Sequence, residues 1–196
     1  MSTSYDVACR LEKDADPEVS PAAAPRILDK RLVHKSYEEN VLLSHVEAVP
    51  DPFEPDEPNL EQASSRKDHF RGTLYVQRSH TFFFEHARDH VPGLYLIEAG
   101  RQMSVAVAHM FYGVPFGVEF VLTELAVAFR SMANIHDSLI AYNTMSRHVF
   151  RKGQLASMHS AGVIRQGDTE VARMSGTMIL MDKNLLKRLE RRGVKA

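Results

Sequence analysis

Three histidines, His80, His86 and His90, fall within HTFFFEHARDHVPGLYLIEAGRQ at residues 80–102. The same stretch holds Pro92-Gly93 and then Glu98, Arg101 and Gln102 inside an otherwise apolar run. Burial alone does not select such groups, because a polar side chain out of water costs free energy unless it is paired. The residue types suit chemistry at a thioester carbonyl. Free amides at a helix N-terminus polarise a carbonyl, and Gly93, without a side chain, lets the backbone come close. A histidine titrating near neutrality takes a proton from an acceptor hydroxyl or an α-carbon. Glu98 is pushed up by desolvation or held down by a partner cation. Arg101 and Gln102, three and four positions on, share its helix face. Arg101 either pairs with Glu98 or grips a phosphate at two points.

Each of these residues has a plainer alternative. His86 could only cap the helix, and His80 or His90 could be the working base in its place. Glu98 with Arg101 could be a structural ion pair at a dimer seam. His34-Lys35 could simply begin the first strand rather than contact a phosphate or pantetheine. His109, His136, His148 and His159 are assigned no role, and Met103, Met110, Met174, Met178 and Met181 read as core. No serine nucleophile elbow or metal-spaced histidine pair is present, so a serine hydrolase and a zinc enzyme are not expected. No metal and no cofactor are expected.

The elements that must hold these groups follow from pattern. Pro92 suits a helix's first turn. Apolar residues at 96, 99, 103, 106, 107 and 110 keep helical spacing, and Gly113 with Pro115 ends the run. Val41, Leu42, Leu43 and Val46 suggest a short strand, and FRGTLYVQ a second. VEFVLTELAVAFR, DSLIAYNTMSRHVF, QLASMHSAGVIR and EVARMSGTMILMD follow as long strands punctuated by Gly153 and Gly167-Asp168. One central helix against an antiparallel sheet is an α+β layer. Residues 1–28 read as a loose arm, 29–182 as the domain, 48–68 as an acidic proline-rich surface loop, and 183–196 as a basic tail.

Composition bounds the function. The chain has 196 residues, 44% of them hydrophobic, and a formal charge of -1. That is a globular chain with a real core and no global electrostatic case for nucleic acid. Its single cysteine, Cys9, makes no internal disulfide. Polar residues interrupt the one long apolar helix, so no membrane span is expected, and the N-terminus lacks an apolar signal core. A cytoplasmic protein is the plain reading.

Three stretches carry a resemblance to a known family. They are Val33-His34-Lys35 followed by Val41-Leu43, RSHTFFF at 78–84, and DHVPGLYLIEAGRQ at 89–102 with its E-A-x-R-Q signature. Over roughly residues 31–181 the chain resembles the AfsA family of A-factor biosynthesis hotdog proteins. It is more distantly similar to 3-hydroxyacyl-acyl-carrier-protein dehydratases, where His86 and Glu98 match the catalytic pair. Glu85 replaces the dehydratase glycine, the loop before Pro92 is shorter, and Arg101-Gln102 is not a usual dehydratase feature. The resemblance implies a hotdog fold, one per chain, with a central helix wrapped by the sheet. It implies an acyltransferase taking a β-ketoacyl thioester of acyl carrier protein or coenzyme A. The acceptor would be a hydroxyl such as that of dihydroxyacetone phosphate, on the way to a γ-butyrolactone-type signal. His80, His86, His90, Glu98 and Arg101 are then the catalytic candidates, and His34, Lys35, Gly93 and Gln102 the binding ones. Family members with that activity carry two hotdog repeats, so a single repeat is expected to form a homodimer. The alternatives are a dehydratase or thioesterase using His86 and Glu98, or a non-catalytic acyl-binding subunit.

Overall fold

The computed structural model describes residues 26–50 and 67–191. The expectations placed on residues 1–25 with Cys9, on 51–66 of the proline-rich loop and on 192–196 of the tail lie outside the described residues. The chain begins with two short 3-10 turns, Lys30–Val33 and Glu38–Asn40. There follow β1 (Leu43–Val49), β2 (Asp68–Leu74), α1 (Gly93–Tyr112), β3 (Val118–Phe129), β4 (Ile140–Arg151), β5 (Gln154–Gln166), β6 (Thr169–Asp182) and α2 (Lys183–Arg191). The six strands form one sheet in the order β1-β2-β4-β5-β6-β3. Every pairing in it is antiparallel.

The α1 helix starts where Pro92 holds extended backbone and stops at Gly113, whose φ of 63° is left-handed and costs glycine nothing. Between those ends the helix is buried nearly all round from Gln102 to His109. A helix with no solvent face needs cover on every side. The sheet supplies part of it by period-two alternation, and the segment with Val33, Val41 and Leu42 supplies more. Ala141 and Met145 of β4, Met158 and Ile164 of β5, and Ala172, Met178 and Leu180 of β6 are buried with Leu96, Ala99, Met103, Ala106 and Val107. Tight turns close the long strands at Lys152-Gly153 (φ 52° and 78°) and at Gly167 (φ 55°). An apolar helix wrapped by a curved antiparallel sheet is the hotdog architecture.

Three local expectations need correction. His34-Lys35 do not begin a strand: His34 ends the first 3-10 turn in left-handed backbone, φ 55°, and β1 starts only at Leu43. That detour brings the segment back against α1. Met110 is not core, since its side chain lies 40% exposed past the point where the sheet ends its cover. The space beside Gly93 is filled from within the chain: a Cβ there would lie 2.7 Å from the Phe129 ring. Among the described residues no helix is long and apolar enough to cross a membrane.

Candidate functional site

Glu98 lies on the third helical residue pair after Pro92, partly buried and surrounded by donors. Arg101 reaches it with two bonds, Nε to Oε2 and Nη2 to Oε1, both 2.8 Å. The i, i+3 spacing puts the fork on the same helix face. Lys35 comes from the 3-10 segment, its Nζ 2.8 Å from Oε1. Gln102 donates its Nε2 to the same oxygen at 3.0 Å. Burial alone would raise the Glu98 pKa, but the Arg101, Lys35 and Gln102 bonds outweigh it and hold the carboxyl at about 2. One carboxylate and two cations leave the cluster with a net charge of +1.

Gln102 and Arg101 also explain why Val33-His34-Lys35 and Val41-Leu43 belong together. Gln102 is fully buried; its Oε1 accepts from the Leu42 amide at 2.9 Å, and its Nε2 donates to the Asn40 carbonyl at 2.8 Å. Arg101 Nη2 donates to the Val33 carbonyl at 3.2 Å. The helix thus satisfies backbone groups of an irregular segment that has no ladder of its own.

The histidines separate. His80 is buried, and its Nε2–H donates to Oδ1 of Asn40 at 2.8 Å. Through Asn40 and Gln102 it joins the Glu98 web. That tautomer leaves the lone pair on Nδ1, which has no partner among the described residues. His86 is exposed, and no hydrogen bond or ion pair joins it to Glu98 among the described residues. His90 is engaged through its backbone, in an isolated bridge to Asn134. His34 meets His109, Nε2 to Nε2 at 2.9 Å, while His109 Nδ1 lies 2.7 Å from the Val114 carbonyl. A carbonyl only accepts, so His109 donates from Nδ1, takes the proton shared at Nε2, and fixes His34 as the Nε2–H tautomer. Burial first, then the neighbouring His109 and Arg101, lower the His34 pKa against an opposing pull from Glu119.

Glu98 and Arg101 line one end of a cavity of about 100 Å³ between α1 and the sheet. Its walls are Ile97, Met103, Leu122, Leu125, Ile164, Met174 and Met178, and its floor holds Ser104, Asn143 and Ser160. Sequence reading missed this floor, Asn40 and the role of His109. The available signal was polarity out of place: Ser104 stands three residues after Arg101 in an apolar helix, and Asn143 and Ser160 sit at inward positions of their strands. Gly93 and the first helical amides stay without a side-chain cap, with Phe129 packed beside them. Among the described residues no group of three or more histidine, cysteine, aspartate or glutamate side chains is placed to hold a metal ion.

A hot-dog-like protein from Thermanaerovibrio acidaminovorans is similar with a TM-score of 0.50 at 18% identity, over 65% of this chain and 92% of that one. A hypothetical thioesterase from Streptococcus pneumoniae TIGR4, crystallised with coenzyme A, gives a TM-score of 0.43 at 17% identity, over 58% of this chain and 79% of that one. The Streptococcus mutans UA159 protein smu.793, bound to acetyl CoA, gives 0.43 at 16% identity, over 59% and 82% of the two chains. Curated proteins yield no match. The model of the A-factor biosynthesis hotdog domain covers residues 18–182, and the chain belongs to that family.

Proposed function

We propose that the protein transfers an acyl group, a β-ketoacyl group foremost, from a thioester of acyl carrier protein or coenzyme A to a hydroxyl acceptor such as dihydroxyacetone phosphate. The observation that carries this reading is the Lys35–Glu98–Arg101 cluster at the end of an apolar cavity. An apolar cavity suits an acyl chain. A cluster of net charge +1 beside it suits a phosphate, on the pantetheine arm or on the acceptor. His80 is the proposed base, because its Nδ1 lone pair has no partner among the described residues and its other nitrogen is fixed by Asn40.

The state of Glu98 favours transfer over dehydration. A carboxyl held at about 2 is ionised at neutral pH and has no proton to give to a leaving hydroxyl. Its work in this proposal is to orient Lys35 and Arg101.

A homodimer belongs to the same proposal. The β3 strand ends the sheet, and Leu122, Leu125 and Phe129 on it are exposed apolar side chains. A long uncovered edge of this kind invites another strand. Leu122 and Leu125 also line the cavity, so a second copy on β3 would complete its wall.

The test is thiol release from 3-oxoacyl-CoA, with and without dihydroxyacetone phosphate. Release that depends on the acceptor supports transfer. Release without it moves the protein to the thioesterase alternative, and water loss from a 3-hydroxyacyl thioester to the dehydratase one. No release from any thioester leaves acyl binding.

A further inference from the structure

The cavity floor is polar where the fold requires nothing polar. Ser104 of α1, Asn143 of β4 and Ser160 of β5 are 3%, 7% and 8% exposed, and all three line the cavity. They bond mainly to one another. Ser104 Oγ donates to the Gly100 carbonyl at 3.1 Å, the two hydroxyls meet at 2.8 Å, Ser160 Oγ lies 3.0 Å from Asn143 Oδ1, and Asn143 Nδ2 lies 3.3 Å from Ser104 Oγ.

Counting hydrogens shows what is missing. Two hydroxyl hydrogens face three acceptor positions, while Asn143 brings two N–H hydrogens and uses one. Turning the amide over moves the contact that lacks a hydrogen from the 2.8 Å hydroxyl pair to the longer 3.3 Å approach of the amide oxygen to Ser104: Asn143 then donates to Ser160, Ser160 to Ser104, and Ser104 to Gly100. Oxygen and nitrogen of such an amide are interchangeable by the network. In either orientation one N–H of Asn143 has no acceptor among the described residues. An unmade donor this deeply buried is costly, and Asn143 lines the cavity.

The distance to the charged end sets what can reach it. Ser104 lies six residues after Glu98, about 9 Å along the helix axis. A cavity of about 100 Å³ leaves room for only a handful of heavy atoms between the two. With the thioester carbonyl at the Glu98–Arg101 end, the atoms over Asn143 belong to the first carbons of the chain.

We propose that Asn143, held by Ser104 and Ser160, donates its free N–H to the 3-oxygen of a 3-oxoacyl thioester and so selects it over the plain acyl chain. This rests on the thioester reading above. A site built to hydrogen-bond an oxygen rejects the analogue lacking it, because its own donor is then left unpaired.

The experiment is calorimetric binding of two coenzyme A amides, octanoyl and 3-oxooctanoyl, in which nitrogen replaces the thioester sulfur so that no turnover depletes them. Wild-type protein is expected to bind the 3-oxo form at least about tenfold tighter. In Asn143→Leu the ratio falls to near one while affinity for the octanoyl form holds or rises. Ser160→Ala, a smaller change read on the same folded-state spectrum, lowers the ratio because Asn143 loses its anchor. Equal binding of both amides by wild type, as when the N–H serves only a water, overturns the proposal and leaves the thioester reading standing. A preference that survives both substitutions overturns it too. Failure of wild type to bind either amide removes the thioester reading, and this proposal with it.

Discussion

Replacing Glu98 by glutamine keeps the shape of the side chain and removes its charge. The carboxyl is lowered from 4.5 to about 2 in the folded protein. At 1.36 kcal/mol per unit, that difference is worth about 3 kcal/mol of folding free energy at neutral pH. Solvent at the partly exposed Lys35 and Arg101 (25% and 32%) trims the figure to about 2–3 kcal/mol. The glutamine also leaves those two cations facing each other. Urea unfolding at fixed protein concentration should show a lower midpoint with an unchanged slope. Melting should fall by about 4–12 °C. The sign with pH follows from the direction of the shift. A lowered carboxyl contributes its full stability above the unfolded value of 4.5 and loses it as pH falls toward about 2. The gap between wild type and Glu98→Gln should therefore be full at pH 6 and close progressively below pH 4.5. A loss under about 0.5 kcal/mol, or a gap that does not close in acid, would refute the assignment of Glu98 as an ionised hub.

Gln102→Leu should cost about 2–4 kcal/mol in the same assay, because it strands the Leu42 amide and the Asn40 carbonyl in a buried segment; a loss below about 1 kcal/mol contradicts the tie described. Nitrogen-15 NMR of His34 should show the Nε2–H tautomer and a titration below the ordinary histidine value, and His109→Phe should move both; an unshifted titration with mixed tautomers speaks against the pair. Sedimentation should give a dimer for the wild-type chain and a monomer for Leu125→Glu, since a charge on the β3 edge opposes pairing; a monomeric wild type removes the proposed seam.

Much of the architecture was legible because it is written in local periods. Pro92 and Gly113 bracket the helix, Gly153 and Gly167 mark the turns, and the strands alternate. The Glu98–Arg101 pair was legible for the same reason, as partners three residues apart on one helix. What escaped depends on contacts between distant parts of the chain. The meeting of Lys35 with Glu98 requires the left-handed turn at His34, a conformation that no periodicity announces. Asn143 and Ser160 meet Ser104 only once the sheet has curved around α1. Gly93 was expected to let the backbone approach a thioester, but the group beside it is Phe129, which arrives from the sheet's last strand.

The central claim is acyl transfer from a thioester to a hydroxyl. The most direct measurement is mass spectrometry of wild-type protein incubated with 3-oxooctanoyl-CoA and dihydroxyacetone phosphate, beside Glu98→Ala under the same conditions. The account predicts the phosphorylated acyl ester, with free coenzyme A in equal amount, from wild type and none from the variant. Free 3-oxo acid at the same rate with or without the acceptor, and no ester, would contradict it.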